Sequence, residues 1–416
     1  MEISFQGLWA EIERRREWVV DLCREIVRHP TENPPGSTIS CADFVAAQLA
    51  DAGLECHVFE PQPGLRSLVS SFGEGSPHFM FNGHMDVFPA DDPRLWDDPP
   101  FEGVIRNGRL YGRGVADMKG GFTASLASFL LIRQLRPRLR GRISFMAVAD
   151  EETGGLWGTQ WILERHPDLV PDACLIGEPC SPDAVRVGEK GISWISLTSR
   201  GRSYHGSLAT GENAITLLAE AITIVKGIVK EEGITPPDLA VVIEDAKRHY
   251  LNEDYQGREW LLEHPSCNVG VIRGGIKANI APREATAEVD IRIPFGWEPG
   301  QTVAWVQKQL KAAGLDGIEV TLVPYASTPN YTSPRHPFAQ MVRRHATDVM
   351  GFPPSFTVTT AATDGRFFRQ RGVPTIIYGP RPNGVGGLNE HITLEDLIRV
   401  TKVHAATALE FVDEKR

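Results

Sequence analysis

Predicted strands and helices alternate along most of this sequence. Apolar runs bounded by turn residues, such as HFMFNGH (78–84), GRISFMAVADEE (141–152) and DACLIGEP (172–179), predict buried strands, and apolar residues at helical spacing predict helices between them. This order predicts an α/β fold with a mostly parallel sheet flanked by helices on both faces. Ligands of such folds bind at the carboxyl ends of the strands, so the predicted strand ends are where a site is expected.

The pattern changes at about residue 185. From there to about residue 326 the predicted elements follow the order β-α-β-β-α-β, which is typical of a small antiparallel sheet carrying two helices. We therefore predict a large domain, 1–184 and 327–416, that is interrupted by an inserted small domain, 185–326. Residues 229–266 are predicted to form an excursion in the small domain, to which the sequence assigns no role.

Composition narrows the classes of partner and the cellular location. The chain has 43 Lys and Arg against 53 Asp and Glu, a formal net charge of -10, and no basic stripe with interleaved aromatic residues, so nucleic acid is not an expected partner. The N-terminal segment has no apolar core of a secretory signal, and no uninterrupted apolar run of about 18 residues indicates a membrane span. The six cysteines form no CxxC pair, which is typical of reduced thiols. A cytoplasmic protein is predicted.

Acidic residues and histidines follow the predicted strands of the large domain. They are His84 and Asp86 after HFMFNG, Asp117 in GRGVADMKGG, Glu151 and Glu152 after FMAVAD, Glu178 after CLIG, and His391 near the C-terminus. Because the strand ends of one sheet meet in space, we expect these side chains to lie close together. So many carboxylates would repel one another strongly without a cation, and carboxylates with one or two imidazoles and no thiolate suit zinc, cobalt or manganese.

Each of these residues also has an ordinary structural explanation when it is taken alone. His84 and Asp86 could satisfy each other on one face of a strand. Glu151–Glu152 is typical of a solvated acidic turn, Asp117 of a turn or helix cap, and His391 of the protein surface. Their joint placement at strand ends is what favours a metal centre.

Several motifs taken together resemble a known family. GHMDVFPA, YGRGVADMKGG, DEETGG, the GEP turn and EHIT are similar to motifs of the co-catalytic zinc aminoacylases and carboxypeptidases, which include acetylornithine deacetylase, succinyl-diaminopimelate desuccinylase, glutamate carboxypeptidase and aminoacylases. The resemblance extends from about residue 15 to 412. It implies a zinc-hydrolase fold for the large domain, a lid and dimerisation role for the small domain, and a homodimer formed through the latter.

The resemblance also implies two divalent metal ions, with zinc expected and cobalt or manganese as alternatives. His84 and Glu178 would bind one ion, Glu152 and His391 the other, and Asp117 would bridge both. Glu178 stands where some relatives have aspartate, which is a conservative departure.

Catalytic roles follow from the same resemblance. Glu151 would act as the general base on a water molecule and then protonate the leaving nitrogen, because an amide anion is too poor a leaving group to depart unprotonated. Asp86 would accept the remaining N–H of His84 and set its tautomer. His205, in SYHGSLATGENAI, would donate to the oxyanion, although its two neighbours depart from the family's usual Ala and Ser.

Three residues are expected on the substrate side. Asn279 in GGIKANIAPREA and Arg292 in VDIRIP match family positions, and the guanidinium of Arg292 would suit a substrate carboxylate. A surface arginine on a strand is the ordinary alternative for Arg292. Arg366 in ATDGRFF and the glycine-rich loop 379–387 are expected to border the substrate site.

The implied function is a metal-dependent amidohydrolase that removes an N-acyl group from an amino acid or related carboxylated amine. Three alternatives stay open: a dipeptidase or carboxypeptidase, a hydrolase of an unusual amide or aryl amine, and a non-catalytic binding relative, which would be expected to lack Glu151 or several ligands. The chain has no G-x-S-x-G after a strand and no Walker loop, which disfavours serine hydrolases and phosphate chemistry.

Overall fold

The computed structural model describes residues 4–136, 138–208, 213–249, 257–324 and 326–413. The chain divides into two compact units. The large unit comprises Met1–Val187, Tyr331–Thr357 and Thr363–Arg416, and the small unit comprises Gly188–Asn330 and Val358–Ala362. The bounds expected from the sequence differ by a few residues at each junction, and they did not include the short return of the chain to the small unit at 358–362.

The described elements, in chain order, are α1 (Phe5–Arg14), α2 (Arg16–Val27), α3 (Ile39–Asp51), β1 (Cys56–Phe59), β2 (Ser67–Gly73), β3 (His78–His84), β4 (Val104–Arg106), β5 (Arg109–Tyr111), α4 (Gly120–Leu135), β6 (Arg142–Val148), α5 (Thr159–Arg165), β7 (Ala173–Ile176), β8 (Ala184–Glu189), β9 (Gly191–Arg200), α6 (Ala214–Val225), α7 (Ala240–His249), β10 (Ser266–Gly274), β11 (Glu284–Ile293), α8 (Pro299–Ala312), β12 (Glu319–Leu322), β13 (Asn330–Tyr331), α9 (Pro337–Met350), β14 (Ser355–Thr359), α10 (Gly365–Arg369), β15 (Thr375–Ile377), β16 (His391–Thr393) and α11 (Leu394–Asp413).

The large unit is built on one mixed sheet with the order β1-β2-β6-β3-β7-β15-β8-β13, and β14 pairs with β8. The four central strands β6, β3, β7 and β15 run parallel. Antiparallel pairs, β1 with β2, β2 with β6 and β15 with β8, lie on either side of them. The predicted α/β fold with a mostly parallel sheet flanked by helices is confirmed. A separate small sheet, β16-β5-β4, carries His391.

The centre of the sheet is apolar because it is covered on both faces. Every residue of β3 is buried, and so is nearly all of α4. The segment Val115–Leu135, which contains α4, is long and apolar enough to cross a membrane by length and composition, but it is buried in the large unit as a core helix. The sequence shows no uninterrupted apolar run there because threonine and serine residues break it.

The backbone at the start of α4 lies in close contact with the backbone that follows β7, at Gly121 and Gly177. A Cβ atom built on Gly121 would lie 1.7 Å from the carbonyl oxygen of Gly177, so only glycine permits this approach. Asp117 lies just before Gly121 in the chain, and Glu178 directly follows Gly177. The contact therefore brings the segments that carry these two acidic residues together.

The small unit has the β-α-β-β-α-β order, with α7 as an added helix inside residues 229–266. Its antiparallel sheet has the order β10-β11-β9-β12. Alternate residues of β9 and β11 are buried with apolar residues of α6 and α8. Residues 209–212 of the SYHGSLATGENAI motif and 250–256 of the excursion lie outside the described residues.

A buried histidine packs between α11 and the central sheet. His404 Nε2 donates to the carbonyl of Tyr378 at 2.7 Å, and its Nδ1 lies 3.1 Å from the hydroxyl of Ser125. Its ring stacks on Phe81 with 5.7 Å between the ring centroids. Burial lowers the pKa of His404 to about 4, so the neutral ring is the form that packs.

We predict that His404 destabilises the protein in mild acid. Between pH 6.5 and about pH 4 the unfolded chain binds a proton at this residue and the folded chain does not, so the free energy of unfolding falls as the pH falls. The loss is complete below about pH 4 and amounts to about 3 kcal/mol at most. Urea unfolding at pH 7 and pH 5 measures the part of this loss that occurs above pH 5, about 2 kcal/mol. The pH dependence should shrink in His404→Gln and stay unchanged in His57→Gln, at an exposed position of β1; an unchanged dependence in His404→Gln would contradict the prediction.

Candidate metal centre

The candidate metal centre is built around His84, the last residue of β3. Its side chain is 1% exposed, and its Nε2 lies 3.3 Å from Asp117 Oδ1 and 3.4 Å from Glu178 Oε1. Within the described part of the chain, His84 Nε2 and Glu152 Oε1 are buried without a hydrogen-bond partner. Buried polar atoms are rarely left without a partner, so both atoms are suited to bind an ion.

Two overlapping groups of side chains offer ligand atoms for a metal. One is His84, Asp117 and Glu152, and the other is His84, Glu151 and Glu178; within each group the ligand atoms lie within 4.8 Å of one another. The structure thus brings together four of the five predicted ligands and the predicted general base. An imidazole with carboxylates, and no thiolate, matches the donor set that zinc, cobalt and manganese accept.

His391, the fifth predicted ligand, belongs to neither group of described residues. Its Nδ1 lies 2.9 Å from the carbonyl oxygen of Asn389, and its ring lies 4.7 Å from that of Tyr111. A hydrogen bond from Nδ1–H to this carbonyl would leave Nε2 as the atom available to an ion. Its assignment as a ligand stays a prediction.

The loop that carries Asp117 is held by a residue that sequence reasoning missed. The buried carboxylate of Glu390 accepts from the backbone N–H groups of Gly114 at 3.1 Å, Ala116 at 2.8 Å and Asp117 at 3.2 Å, and from Arg113 Nη1 at 2.7 Å. The Asp117–Met118 peptide in this loop is cis. Glu390 is the first residue of the EHIT motif, which was singled out only for His391. An acidic residue next to a predicted ligand is the sequence signal that could have indicated its role.

Asp86 holds the turn that carries Glu151 and Glu152. Its carboxylate accepts from the backbone N–H of Glu151 at 3.3 Å and of Glu152 at 3.1 Å. The carboxylate of Asp86 was expected to accept the N–H of His84, and this prediction is wrong, because the backbone carbonyl of Asp86 is the partner. His84 Nδ1 lies 2.8 Å from the backbone carbonyl oxygen of Asp86 and 3.6 Å from the carboxylate, because the carboxylate is already engaged by the turn. The tautomer of His84 is set all the same, with Nε2 directed to the acidic residues.

Burial and the crowding of negative charge together raise the pKa values of the clustered residues. Burial first and the charge of Asp117 second raise the pKa of Glu178 to about 7 and that of Glu152 well above its usual range. Burial also raises the pKa of Glu151 to about 8. Burial of His84 opposes its protonation, but the nearby carboxylates, Glu178 above all, outweigh this and raise the pKa of His84 well above its usual value. The cluster therefore needs positive charge, from protons or from metal ions.

Arg366, which is expected to border the substrate site, is a buried residue beside Glu151, and its contact with substrate stays a prediction. Its side chain is 4% exposed and donates to the carbonyl oxygens of Thr363 at 2.7 Å and Gly154 at 2.8 Å, and its Nη1 lies 3.7 Å from Glu151 Oε1. The guanidinium can be buried because these backbone carbonyl oxygens accept hydrogen bonds from it. Asp364, in the same ATDGRFF motif, was also missed: burial and the charge of Glu151 raise its pKa to about 7.

Three predicted site residues belong to the small unit. His205 and Asn279 are exposed and neighbour each other, since Gly206 N–H donates to the Asn279 carbonyl at 2.8 Å. His205 Nδ1 lies 2.8 Å from the hydroxyl of Ser207. Arg292 forms a two-atom ion pair with Asp290 on its own strand, at 2.8 Å and 3.0 Å. A substrate carboxylate would therefore have to compete with Asp290 for this guanidinium.

The family model for peptidase family M20/M25/M40 matches residues 80–410. The chain belongs to this family. The resemblance found in the sequence motifs is confirmed, and the chain is a hydrolase of amide bonds, as other M20 metallopeptidases and desuccinylases are. This membership agrees with the motifs that disfavoured a serine hydrolase and phosphate chemistry.

The chain is similar to M20 proteins over almost its whole length. It is 26% identical over 400 residues to a succinyl-diaminopimelate desuccinylase of Methylocella silvestris, with 93% of this chain and 96% of the relative covered. An M20 metallo-carboxypeptidase of Sulfolobus solfataricus has the same fold, with a TM-score of 0.79, 20% identity, and 94% and 99% of the two chains covered. An M20 peptidase of Bacillus subtilis described as dinuclear metal binding superposes with a TM-score of 0.68 and 13% identity, over 96% and 99% of the chains.

We predict that divalent metal ions stabilise the protein through His84. Binding to the folded chain alone adds about 2.7 kcal/mol at a metal concentration of 100 times Kd. Thermal unfolding of chelator-treated protein, with and without zinc, cobalt or manganese, measures the effect. The shift should be lost or much reduced in His84→Ala and retained in His57→Ala. The absence of a shift in the wild-type protein with all three metals would contradict the prediction.

Proposed function

We propose that this chain is a metal-dependent deacylase that hydrolyses the N-acyl bond of an amino acid or a related carboxylated amine. The observation that carries the proposal is the position of Glu151, a carboxylate that is only 11% exposed and lies within 4.8 Å of the ligand atoms of His84 and Glu178. The desuccinylase relative, which matches 93% of the chain, supports an N-acyl amine as substrate class.

Five residues would hold two divalent ions, for which we propose zinc, with cobalt or manganese as alternatives. They are His84 and Glu178 for one ion, Glu152 and His391 for the other, and Asp117 between them. A bound ion would supply Lewis acidity, which lowers the pKa of water and polarises a carbonyl oxygen. Asp86 contributes by holding the backbone of Glu151 and Glu152.

Glu151 would move the proton. Its carboxylate takes a proton from the attacking water and passes it to the departing nitrogen, so the amine leaves neutral. Burial raises its pKa, whereas Arg366 and any neighbouring cation lower it. A carboxyl balanced in this way can both accept and return a proton near neutral pH.

The small unit would complete substrate binding. We propose that His205 donates to the oxyanion and that Asn279 contacts substrate, because both are exposed on neighbouring segments. Arg292 is the candidate partner of a substrate carboxylate, in competition with Asp290. We propose that Arg366 borders the substrate site from below the Glu151 turn, where it donates to the carbonyl oxygen of Gly154. A cytoplasmic location and the absence of nucleic-acid and membrane partners stay predictions from composition.

We predict selective hydrolysis within a panel of N-acetyl, N-succinyl, N-formyl and N-aminoacyl derivatives of acidic, basic and aromatic amines. Amine release by the zinc-, cobalt- or manganese-loaded protein should favour an N-acyl amino acid and should fall at least about 1,000-fold in Glu151→Gln, which cannot take the proton. Asp245→Asn, on α7 of the small unit, is the control and should keep wild-type activity. Preference for N-aminoacyl substrates would make the chain a dipeptidase or carboxypeptidase. Full activity in Glu151→Gln would refute the mechanism.

We further propose that two copies associate through the small unit. Strand β10 is an edge of its sheet, and Ile272 on β10 and Ile276 just after it are 57% and 90% exposed. Ile215 of α6 lies against the same turn, 3.2 Å from where a Cβ of Gly275 would be. An exposed edge strand beside an apolar patch can pair with its equivalent in a second copy.

This association predicts a dimer that a charge on β10 breaks. In light scattering after size-exclusion chromatography, Ile272→Asp should give the monomer mass, because two buried carboxylates would face the interface. Ile234→Asp, at a position of the small unit that is 75% exposed and lies beside Phe295, should remain dimeric. A monomeric wild-type protein, or a dimeric Ile272→Asp variant, would disprove this interface.

A further inference from the structure

A buried asparagine lies behind the metal centre. Asn33 is 5% exposed and precedes the first strand of the sheet by more than twenty residues. Its backbone N–H donates to the carbonyl of Val87 at 2.9 Å, and its neighbour Glu32 accepts from the N–H of Ala90 at 2.6 Å. The segment is therefore tied to the chain that directly follows Asp86.

The side-chain amide of Asn33 joins two loops. Nδ2 donates to Asp86 Oδ2 at 2.9 Å and to Thr153 Oγ1 at 3.2 Å. Asp86 lies after β3, and Thr153 lies in the turn after β6 that carries Glu151 and Glu152. An NH2 group has two hydrogens, so it can serve Asp86 and Thr153 together, and the carboxylate of Asp150 also interacts with this amide.

The orientation of the amide follows from its partners. The carboxylate of Asp86 can only accept, and the hydroxyl of Thr153 donates its hydrogen to Asp150, so it too can only accept from Asn33. The opposite orientation would place the amide oxygen against a carboxylate. The NH2 group must therefore face Asp86 and Thr153.

We propose that Asn33 is a positioning residue for Glu151 and Glu152, a role that rests on the function proposed for those two residues. The chain of contacts is short: Asn33 orients the carboxylate of Asp86, and Asp86 accepts the backbone N–H groups of both glutamates. The second contact of Asn33 holds the same turn at Thr153. Without the amide, the carboxylate of Asp86 loses the hydrogen bond that orients it, and the turn that carries Glu151 and Glu152 loses its hydrogen bond at Thr153.

Only an amide fulfils this role at residue 33. Alanine removes both donors and leaves Asp86 Oδ2 with one fewer partner. Aspartate has almost the same shape, but it offers no N–H and adds a third carboxylate beside Asp86 and Asp150. Its effect should therefore be at least as large as that of alanine.

The test compares Asn33→Ala and Asn33→Asp with Thr38→Ala. Thr38 is buried in the same unit and binds the backbone of Arg66 at 2.7 Å and 2.9 Å, so its loss removes comparable hydrogen bonds without touching Asp86 or Thr153. We would measure kcat and KM at saturating metal on the best substrate of the panel, the melting temperature, and the metal affinity of chelator-treated protein.

We expect kcat to fall about 10- to 100-fold in both Asn33 variants, with KM changed less than about threefold, because supporting residues of metal sites act on this scale. Metal affinity should weaken about tenfold as Glu152 loses its fixed position. Thr38→Ala should lose only thermal stability. Wild-type kcat in Asn33→Asp, or an equal fall of kcat in Thr38→Ala, would overturn the role of Asn33.

The two proposals can fail separately. An active wild-type protein with unaffected Asn33 variants overturns the inference and leaves the proposed function intact. A wild-type protein that hydrolyses nothing in the panel refutes the proposed substrate class. The metal affinities of the variants then test the positioning role of Asn33. In that case a tenfold weakening in Asn33→Ala but not in Thr38→Ala supports the positioning role, and equal affinities overturn it.

Discussion

Repulsion among buried carboxylates is the constraint on which the rest of this structure depends. Asp117, Glu151, Glu152 and Glu178 converge on one imidazole at the end of β3. Burial first, and the neighbouring carboxylates after it, raise the pKa values of Glu151 and Glu178 to about 8 and 7, far above those of exposed glutamates. A protein keeps such a cluster only if its scaffold opposes the repulsion and if a cation compensates it.

The scaffold opposes the repulsion mainly through backbone N–H groups. Glu390 accepts three of them from the Asp117 loop, and Asp86 accepts two from the turn that carries Glu151 and Glu152. Asp117, Glu151 and Glu152 are thus placed through backbone N–H groups of their own segments, which leaves their side chains free of this task. This leaves the facing carboxylate atoms available to an ion, as the buried and unpartnered Glu152 Oε1 illustrates.

Four of the five predicted ligands and Glu151 cluster as the sequence predicted, because their placement follows a simple geometric rule. Carboxyl ends of parallel strands meet at one edge, and β3, β6 and β7 are adjacent in the sheet. Sequence reasoning was less successful where a residue's role depends on its partners. The carboxylate of Asp86 was assigned to the wrong contact, the burial of Arg366 was not predicted, and Glu390, Asp364 and Asn33 were not singled out. A single sequence does not indicate which polar residues become buried or which backbone groups they meet.

The sequence by itself determined the alternation of strands and helices, the insertion of a second unit, and the residue types that stand at the strand ends. These properties are local, because apolar periodicity and turn residues act over a few neighbours. Only the tertiary structure decided that Gly121 and Gly177 would touch, that Asn33 would reach across to Asp86 and Thr153, and that Arg366 would be buried behind Glu151. Those contacts join residues far apart in the chain, and their existence depends on how the packed core brings separate loops to one place.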